Sequence, residues 1–335
     1  MSRHKRILLP QAIEAEAVDL IKEAGIEIVL SPDPKPETVQ PLMKGIQGVI
    51  LRTGIKMTRA LMSHGDDLWV ISRTGAGVDN VDVPAATEMG VLVTCVPTAN
   101  TNSVVEHTLA LILSLVKQLP LMDREVREDH FNIRYKNIPR DLSGKTLGVL
   151  GLGRIGSELA RICRHAFGMR ILGYDPYLRP ETKGPLEGWI EFSEMERLFR
   201  ESDIISLHIP LLPATQKLIG PRELGWMKPD AFLVNTSRGG IIDEAALIEC
   251  LKEKRIAGAG LDVFAQEPPE KNHPFKKLDH VILTPHTAGL TRESVLRMGL
   301  EAARSAIAVL QGGRPEGIVN PEVLHHPRWL GMTST

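Results

Sequence analysis

The chain has 335 residues, 43% hydrophobic and 24% charged, and its 40 Lys and Arg against 41 Asp and Glu leave a formal net charge of −1. That length can fill two domains with real cores, and a charge this close to balance argues against nucleic acid or an anionic membrane as partner. Cys95, Cys163 and Cys250 lie far apart, without CxxC or Cys/His ligand spacing, which fits a reduced cytoplasmic setting with no metal site.

The N-terminus is basic (Arg3, Lys5, Arg6), but residues 7–9 are too short an apolar run for a signal sequence and acidic residues follow at once. No secretion signal, transit peptide or membrane span is expected. Residues 6–10 read as a strand, 12–24 as an amphipathic helix and 26–30 as a second strand, an alternation that predicts a parallel α/β layer. The proline-rich stretch 31–38 reads as a surface loop. Residues 48–52, 68–77 and 90–96 then supply further apolar strands, two of which end in the polar tips Arg52-Thr53-Gly54 and Arg73-Thr74-Gly75-Ala76-Gly77. Ligands in open α/β sheets bind off the carboxyl ends of the strands, so these tips are candidate substrate contacts.

Residues 97–120 begin as a polar loop and become a strongly apolar helix. Ser103 is the expected N-cap, with Glu106 as its capping-box partner, and His107 is read as structural. Residues 123–140 are charged and read as irregular.

Next comes GVLGLGRIGSELARICRHAFGMRILGYDP, starting at Gly148. An apolar strand (146–150) turns through Gly151, Gly153 and Gly156 into a helix with Ile155, Leu159 and Ile162 at helical spacing. A second strand (169–174) ends in Asp175 and Pro176. The first glycine suits a tight turn, the second the close approach of backbone to a pyrophosphate, and the third close packing of helix on strand. Asp175, 19 residues past Gly156, can accept hydrogen bonds from a ribose 2′-hydroxyl and repel a 2′-phosphate, which selects NAD over NADP. Beyond it, a short strand (189–192), a helix (193–200) and DIISLHIP (203–210) lead to His208, Ile209, Pro210 and Thr215. These follow a strand end and are expected to face the cofactor, with His208 a wall rather than a ligand.

Three later strand ends deliver the chemistry. Residues 231–235 lead to Thr236, Ser237, Arg238 and a Gly-Gly turn, 260–264 present Asp262 and then Glu267, and 280–284 lead to His286, Ala288 and Gly289, with a helix over 244–254 between the first two. An arginine, a carboxylate and a histidine beside a dinucleotide fold suit carbonyl reduction of a carboxylate-bearing substrate. The planar guanidinium binds the carboxylate and the histidine gives a proton to the nascent alkoxide. A carboxylate on the far ring nitrogen favours the charged imidazole and fixes its tautomer.

Over most of its length the chain resembles the D-isomer-specific 2-hydroxyacid dehydrogenases, through GVILRTGIKMT, RTGAGVDNVD, NSVVEHTLALIL, GLGRIG, HIPLLPAT, VNTSRGGIIDE, LDVFAQEPP, TPHTAG and VNPEV. The resemblance implies that Arg238 orients the substrate carboxylate, His286 is the general acid/base and Glu267 its partner. It further implies that Asp262 meets the nicotinamide carboxamide, that Arg154, Ile155, Asp175, Ile209, Thr215 and residues 236–238 line NAD, that Ala76 and Gly77 offer backbone N–H groups to the substrate, and that Asn100 makes a hinge-side contact. The implied fold is α/β with two doubly wound parallel-sheet domains: a Rossmann cofactor domain over 103–288 and a flavodoxin-like substrate domain from 1–102 with 289–335, in a homodimer built on the cofactor domain. Within the family the chain is most similar to 3-phosphoglycerate dehydrogenases, because Arg52 stands where those enzymes place a positive group near the substrate's phosphate. The regulatory domain that many of them append is not expected here. The alternatives are a hydroxypyruvate or glyoxylate reductase, which shares every catalytic residue above, and a nicotinamide-sensing scaffold like the corepressors of this fold.

Overall fold

In the first strand, β1 (Arg6–Leu9), Ile7, Leu8 and Leu9 are all buried although successive side chains point to opposite faces, so the sheet is covered on both sides. A computed structural model describes residues 4–329. The chain divides into two units, Met1–Asn100 with Leu290–Thr335 and Thr101–Gly289. In the first unit β1 is followed by α1 (Ala15–Glu23), β2 (Glu27–Leu30), α2 (Pro36–Val39), β3 (Gly48–Leu51), α3 (Arg59–Met62), β4 (Val70–Arg73), α4 (Val83–Glu88) and β5 (Leu92–Thr94). The five strands are parallel in the order β2-β1-β3-β4-β5, the flavodoxin-like doubly wound arrangement. On one face Leu8, Val49, Leu51, Ile71 and Val93 pack with Met43, Met62 and Ala86.

The second unit opens with α5 (Thr101–Val116), α6 (Leu119–Arg127) and α7 (Ile133–Lys136). It continues through β6 (Thr146–Leu150), α8 (Arg154–Phe167), β7 (Arg170–Tyr174), α9 (Pro180–Lys183), β8 (Glu191–Phe192), α10 (Met195–Glu201), β9 (Ile204–Leu207), α11 (Pro221–Trp226), β10 (Phe232–Asn235), α12 (Glu244–Lys252), β11 (Gly258–Leu261) and β12 (Val281–Leu283). Its seven strands pair in parallel in the order β12-β11-β10-β9-β6-β7-β8, a Rossmann sheet that reverses direction between β6 and β9. α5 and α8 cover the face bearing Leu147, Val149, Ile171 and Val234, while α10, α11 and α12 cover the face bearing Leu150, Leu172, Leu207 and Leu233.

The chain then returns to the first sheet with α13 (Arg292–Leu310). Its Met298, Ala302, Ala303, Ala306 and Val309, at helical spacing, join Ile7, Leu9, Ile50, Val70 and Leu92 in the core of the face opposite Leu8. Ser72 Oγ donates to Ala302 O across this contact (2.8 Å). Past α13, fully buried Asn320 accepts from Val93 N and donates to Val91 O and Thr87 Oγ1, pinning the returning chain beside β5.

Several sequence expectations are corrected. The helix expected to start at Ser103 begins at Thr101; Ser103 lies inside it, buried, so its hydroxyl does not cap the helix and Glu106 is left exposed. Residues 123–140 are not irregular throughout, since α6 and α7 fall there. Neither helix buries a residue, and α6 is supported by an Asp123–Arg127 pair one turn apart (2.8 Å), so no core-facing stripe advertised them. The loop at 31–38 gives way to α2 at Pro36, which suits a first helical turn. No single described helix is long and apolar enough to cross a membrane.

Candidate active site

The glycine turn between β6 and α8 is built for an occupant. Gly151 has φ +94°, and a Cβ there would meet His208 O at 2.5 Å, so only glycine fits. A Cβ on Gly156 would strike Gly151 O at 2.0 Å, which makes that residue a packing requirement of helix on turn. Gly153 differs from both. It is exposed, no atom lies within 4 Å of its would-be Cβ, and it stands at the start of α8 with no side chain capping it, leaving open space over a helix N-terminus. Arg154, exposed, and Ile155, half-buried, follow on the first turn. At the end of β7 the Asp175 carboxylate accepts from Leu152 N (2.9 Å) and Tyr177 N (3.0 Å), fixing it beside the glycine turn, with Pro176 exposed next to it. An uncluttered backbone cradle of N–H donors and an anchored acid that can accept from hydroxyls at the neighbouring strand end are what a dinucleotide's pyrophosphate and ribose require.

After β9, His208 is half-buried and its Nε2 lies 2.8 Å from Ser206 Oγ. Desolvation of the ring pushes its pKa down to about 4, so it is neutral at physiological pH and suits a wall. Thr215 Oγ1 accepts from Leu212 N (2.8 Å) and donates to Pro210 O (2.6 Å), closing the loop that follows half-buried Ile209.

The structure brings Arg238, Glu267 and His286 together on the loops after β10, β11 and β12. Asn235, fully buried, holds the first loop: its Oδ1 accepts from Ser237 N and Oγ, and its Nδ2 donates to Arg238 O. A Cβ on Gly239 would lie 1.9 Å from the Phe264 carbonyl carbon, so the Arg238 loop can press against the Glu267 loop only with glycine there. Glu267 Oε1 accepts from Phe264 N (3.0 Å) and Oε2 is 2.7 Å from His286 Nδ1. Desolvation opposes ionisation of Glu267. The hydrogen bonds from His286 and Phe264 N, and the charges of His286 and Arg238, outweigh it and hold this carboxyl below the usual range. Glu267 therefore stays an anion at neutral pH, and because it occupies Nδ1, the Nε2 edge of His286 is the one left for a reacting group.

Asp262, fully buried, gathers the third loop: its carboxylate accepts from Thr284 Oγ1 (2.6 Å), Thr287 N and Ala288 N (2.9 Å each), and its carbonyl accepts from His286 N (2.8 Å). Ala288 is buried and Gly289 half-buried. Thr236, buried, shares a hydrogen bond with Thr108 Oγ1 (2.9 Å).

In the first unit, Arg52 Nη1 donates to Ala12 O (3.2 Å) and Glu14 Oε1 (3.3 Å). Asn80 ties the ends of β3 and β4 together, donating to Arg52 O and Ile55 O and accepting from Arg73 Nε. Ala76 is exposed and Gly77 half-buried, and among the described residues neither N–H takes part in a backbone hydrogen bond. Asn100 Oδ1 is buried without a partner among the described residues. Elsewhere, Glu125, Glu128 and His130 place ligand-type atoms within 4.8 Å of one another, two of the three residues being exposed.

Residues 109–288 match the NAD binding domain of the D-isomer specific 2-hydroxyacid dehydrogenases. The chain belongs to that family. Among its dehydrogenase relatives is a D-3-phosphoglycerate dehydrogenase of Methanocaldococcus jannaschii, 39% identical over 94% of this chain but 59% of the relative. A glyoxylate reductase of Aeropyrum pernix is 38% identical over 96% of this chain and 98% of the relative. The D-lactate dehydrogenase of Aquifex aeolicus, solved with NAD and lactic acid, superposes with a TM-score of 0.82 at 30% identity, covering 92% of this chain and 96% of that one. The chain thus spans about six tenths of the length of the phosphoglycerate dehydrogenases it matches.

Three features of this candidate site were not read from the sequence: Asn235 as the brace of the Arg238 loop, Asp262 as the hub of the His286 loop, and His107 Nε2 at 2.9 Å from Thr284 Oγ1. The asparagine directly after an apolar strand was a usable signal for the first. The other two join residues far apart in the chain.

Proposed function

We propose that the chain is an NAD-dependent D-2-hydroxyacid dehydrogenase that interconverts a small 2-hydroxy acid and its 2-oxo acid, with 3-phosphoglycerate as the favoured substrate. The observation that carries the reading is the Arg238–Glu267–His286 cluster, in which an ionised carboxylate fixes an imidazole beside a guanidinium. Arg238 binds the substrate carboxylate with its planar fork. His286 Nε2 delivers a proton to the carbonyl oxygen in reduction and removes the hydroxyl proton in oxidation, and Glu267 stabilises the charged imidazole between these states. Gly151, Gly153 and the first turn of α8 hold the pyrophosphate, Asp175 the adenosine ribose, and His208, Ile209, Pro210, Thr215, Thr236, Ser237, Asp262, Ala288 and Gly289 form the remaining walls. Bound, the nicotinamide supplies or accepts the hydride. Asp175, a carboxylate already anchored at the strand end, supports NAD over NADP by repelling a 2′-phosphate.

Arg52 at the end of β3 is the proposed phosphate reader, with Ala76, Gly77 and Asn100 as the other substrate contacts. Its pairing with Glu14 favours a second reading, a reductase of unphosphorylated acids such as glyoxylate or hydroxypyruvate, because the guanidinium already has a carboxylate partner. A second copy of the chain is the proposed partner. Leu119, Val126, Phe131, Tyr135 and Ile138, half of the exposed large apolar side chains among the described residues, fall within one stretch of the cofactor unit. Free Cys163 and Cys250, both buried, support a cytoplasmic setting.

NADH and NADPH oxidation by the purified protein against 3-phosphohydroxypyruvate, hydroxypyruvate, glyoxylate and pyruvate tests these statements together. A preference for NADH and the phosphorylated acid, lost in Arg52→Ala, is the expected result. A preference for hydroxypyruvate or glyoxylate that is indifferent to Arg52→Ala assigns the chain to the unphosphorylated acids, and no turnover on any of the four refutes the activity.

A further inference from the structure

Two neighbouring side chains on α5 reach two of the loops that carry the proposed chemistry. Thr108 Oγ1 bonds Thr236 Oγ1, two residues before Arg238, and His107 Nε2 lies 2.9 Å from Thr284 Oγ1, two residues before His286. In the first contact Thr108 Oγ1 already donates to Val104 O (2.7 Å), so Thr236 Oγ1 supplies the hydrogen. The second has a direction that can be deduced by counting protons.

The buried Asp262 carboxylate accepts only, taking Thr287 N, Ala288 N and Thr284 Oγ1, the last at 2.6 Å. A threonine hydroxyl has one hydrogen, and here it is spent on Asp262. Thr284 Oγ1 therefore meets His107 as an acceptor, and His107 Nε2 must carry the hydrogen. The same nitrogen lies 3.6 Å from Asp262 Oδ1, so its N–H dipole points into the field of the carboxylate. The result is a directed chain, His107 Nε2–H to Thr284 Oγ1–H to Asp262.

That chain ends on the group around which the His286 loop is wound. His286 has φ +54°, left-handed backbone that a non-glycine residue holds only when its surroundings enforce it. Here the surroundings are Asp262, whose carbonyl takes His286 N and whose carboxylate takes the next two backbone N–H groups. Any rotation of the carboxylate loosens the bonds to Thr287 N and Ala288 N together.

We propose that His107 is a positioning residue of the reaction: as the Nε2–H tautomer it donates through Thr284 to orient the Asp262 carboxylate, which keeps His286 in its strained, productive backbone conformation. The proposal rests on His286 being the acid/base.

The experiment compares His107→Leu, which removes the donor, with His107→Gln, which restores an N–H near the same place. The Leu variant is expected to lose about ten-fold in kcat, the scale of one lost hydrogen bond, with KM for the 2-oxo acid nearly unchanged and with Gln recovering most of the loss. Wild-type kcat in the Leu variant, or a Gln variant as impaired as Leu, overturns the proposal. Should the His107 variants fail to fold, Thr284→Val against Thr284→Ser asks the same question: Val impaired and Ser normal supports it, equal activities overturn it. Nitrogen-15 NMR of the cofactor-free protein at alkaline pH gives a readout independent of turnover. A protonated Nε2 and bare Nδ1 on His107 are expected, and the opposite tautomer refutes the chain. A wild-type protein inactive on every 2-oxo acid refutes the proposed function instead and leaves the tautomer to decide the hydrogen-bond chain.

Discussion

Each sheet of this protein delivers an arginine to the carboxyl end of a strand, and the two arginines meet acids in opposite ways. In the cofactor unit the acid near Arg238, Glu267, is engaged by His286 and Phe264 N and is held ionised for the imidazole. In the other unit the guanidinium of Arg52 is itself paired with Glu14. In the proposed function the first cluster stores charge for the reaction, while the second balances charge that a substrate would have to compete for. A partly exposed pair of the second kind is worth only about 0–1 kcal/mol, so an incoming phosphate can displace Glu14 whereas a neutral group has no reason to. Under the proposed function, reaction type and substrate choice are set in separate places.

The sharpest way to break this contrast is His286→Ala, for which kcat should fall roughly 10²- to 10⁴-fold, the reach of one general acid/base, in steady-state assays on the best 2-oxo acid. Near-wild-type turnover would remove the cofactor-unit cluster from the chemistry. Arg238→Lys is expected to cost roughly ten-fold or more in kcat/KM, because an ammonium cannot reproduce the two parallel hydrogen bonds of a guanidinium, and unchanged kinetics would mean that Arg238 does not grip a carboxylate. Smaller again is the effect of His208. Its folded pKa, about 4, lies below its ordinary 6.5, so the unfolded chain takes up the proton first as pH falls. The stability it contributes is complete above pH 6.5 and is lost toward pH 4, on the order of 3 kcal/mol. Denaturation midpoints of wild type should fall across that window more steeply than those of His208→Asn, and parallel curves would show that the ring titrates normally.

What could be read in the sequence was what local sterics dictate. Gly151, Gly153 and Gly156 each answer a different backbone demand within one turn, so strand, turn and helix were recognisable from spacing alone, and Arg238, Glu267 and His286 each lie on the loop that leaves an apolar strand. What escaped was whatever depends on partners remote in sequence. The Arg52–Glu14 pair spans 38 residues and the His107–Thr284 bond spans 177, and no pattern in either segment points to the other. Ser103 failed as a cap because it is buried as the third residue of the helix, where burial of its neighbours Val104 and Val105 outweighs the preference for a terminus. The helices α6 and α7 escaped for the converse reason, having no buried face.

The path of the chain through the first sheet sets an order of events at the ribosome. Strands β1 to β5 emerge early, but α13, whose Met298, Ala302, Ala303 and Ala306 complete the core on one face of that sheet, follows only after the whole cofactor unit. Roughly two hundred residues of synthesis intervene, which at about 5–20 residues per second is on the order of 10–40 s. During that interval Ile7, Leu9, Ile50, Val70 and Leu92 lack the helix that covers them. The unit whose strands are made first is the one that finishes folding last.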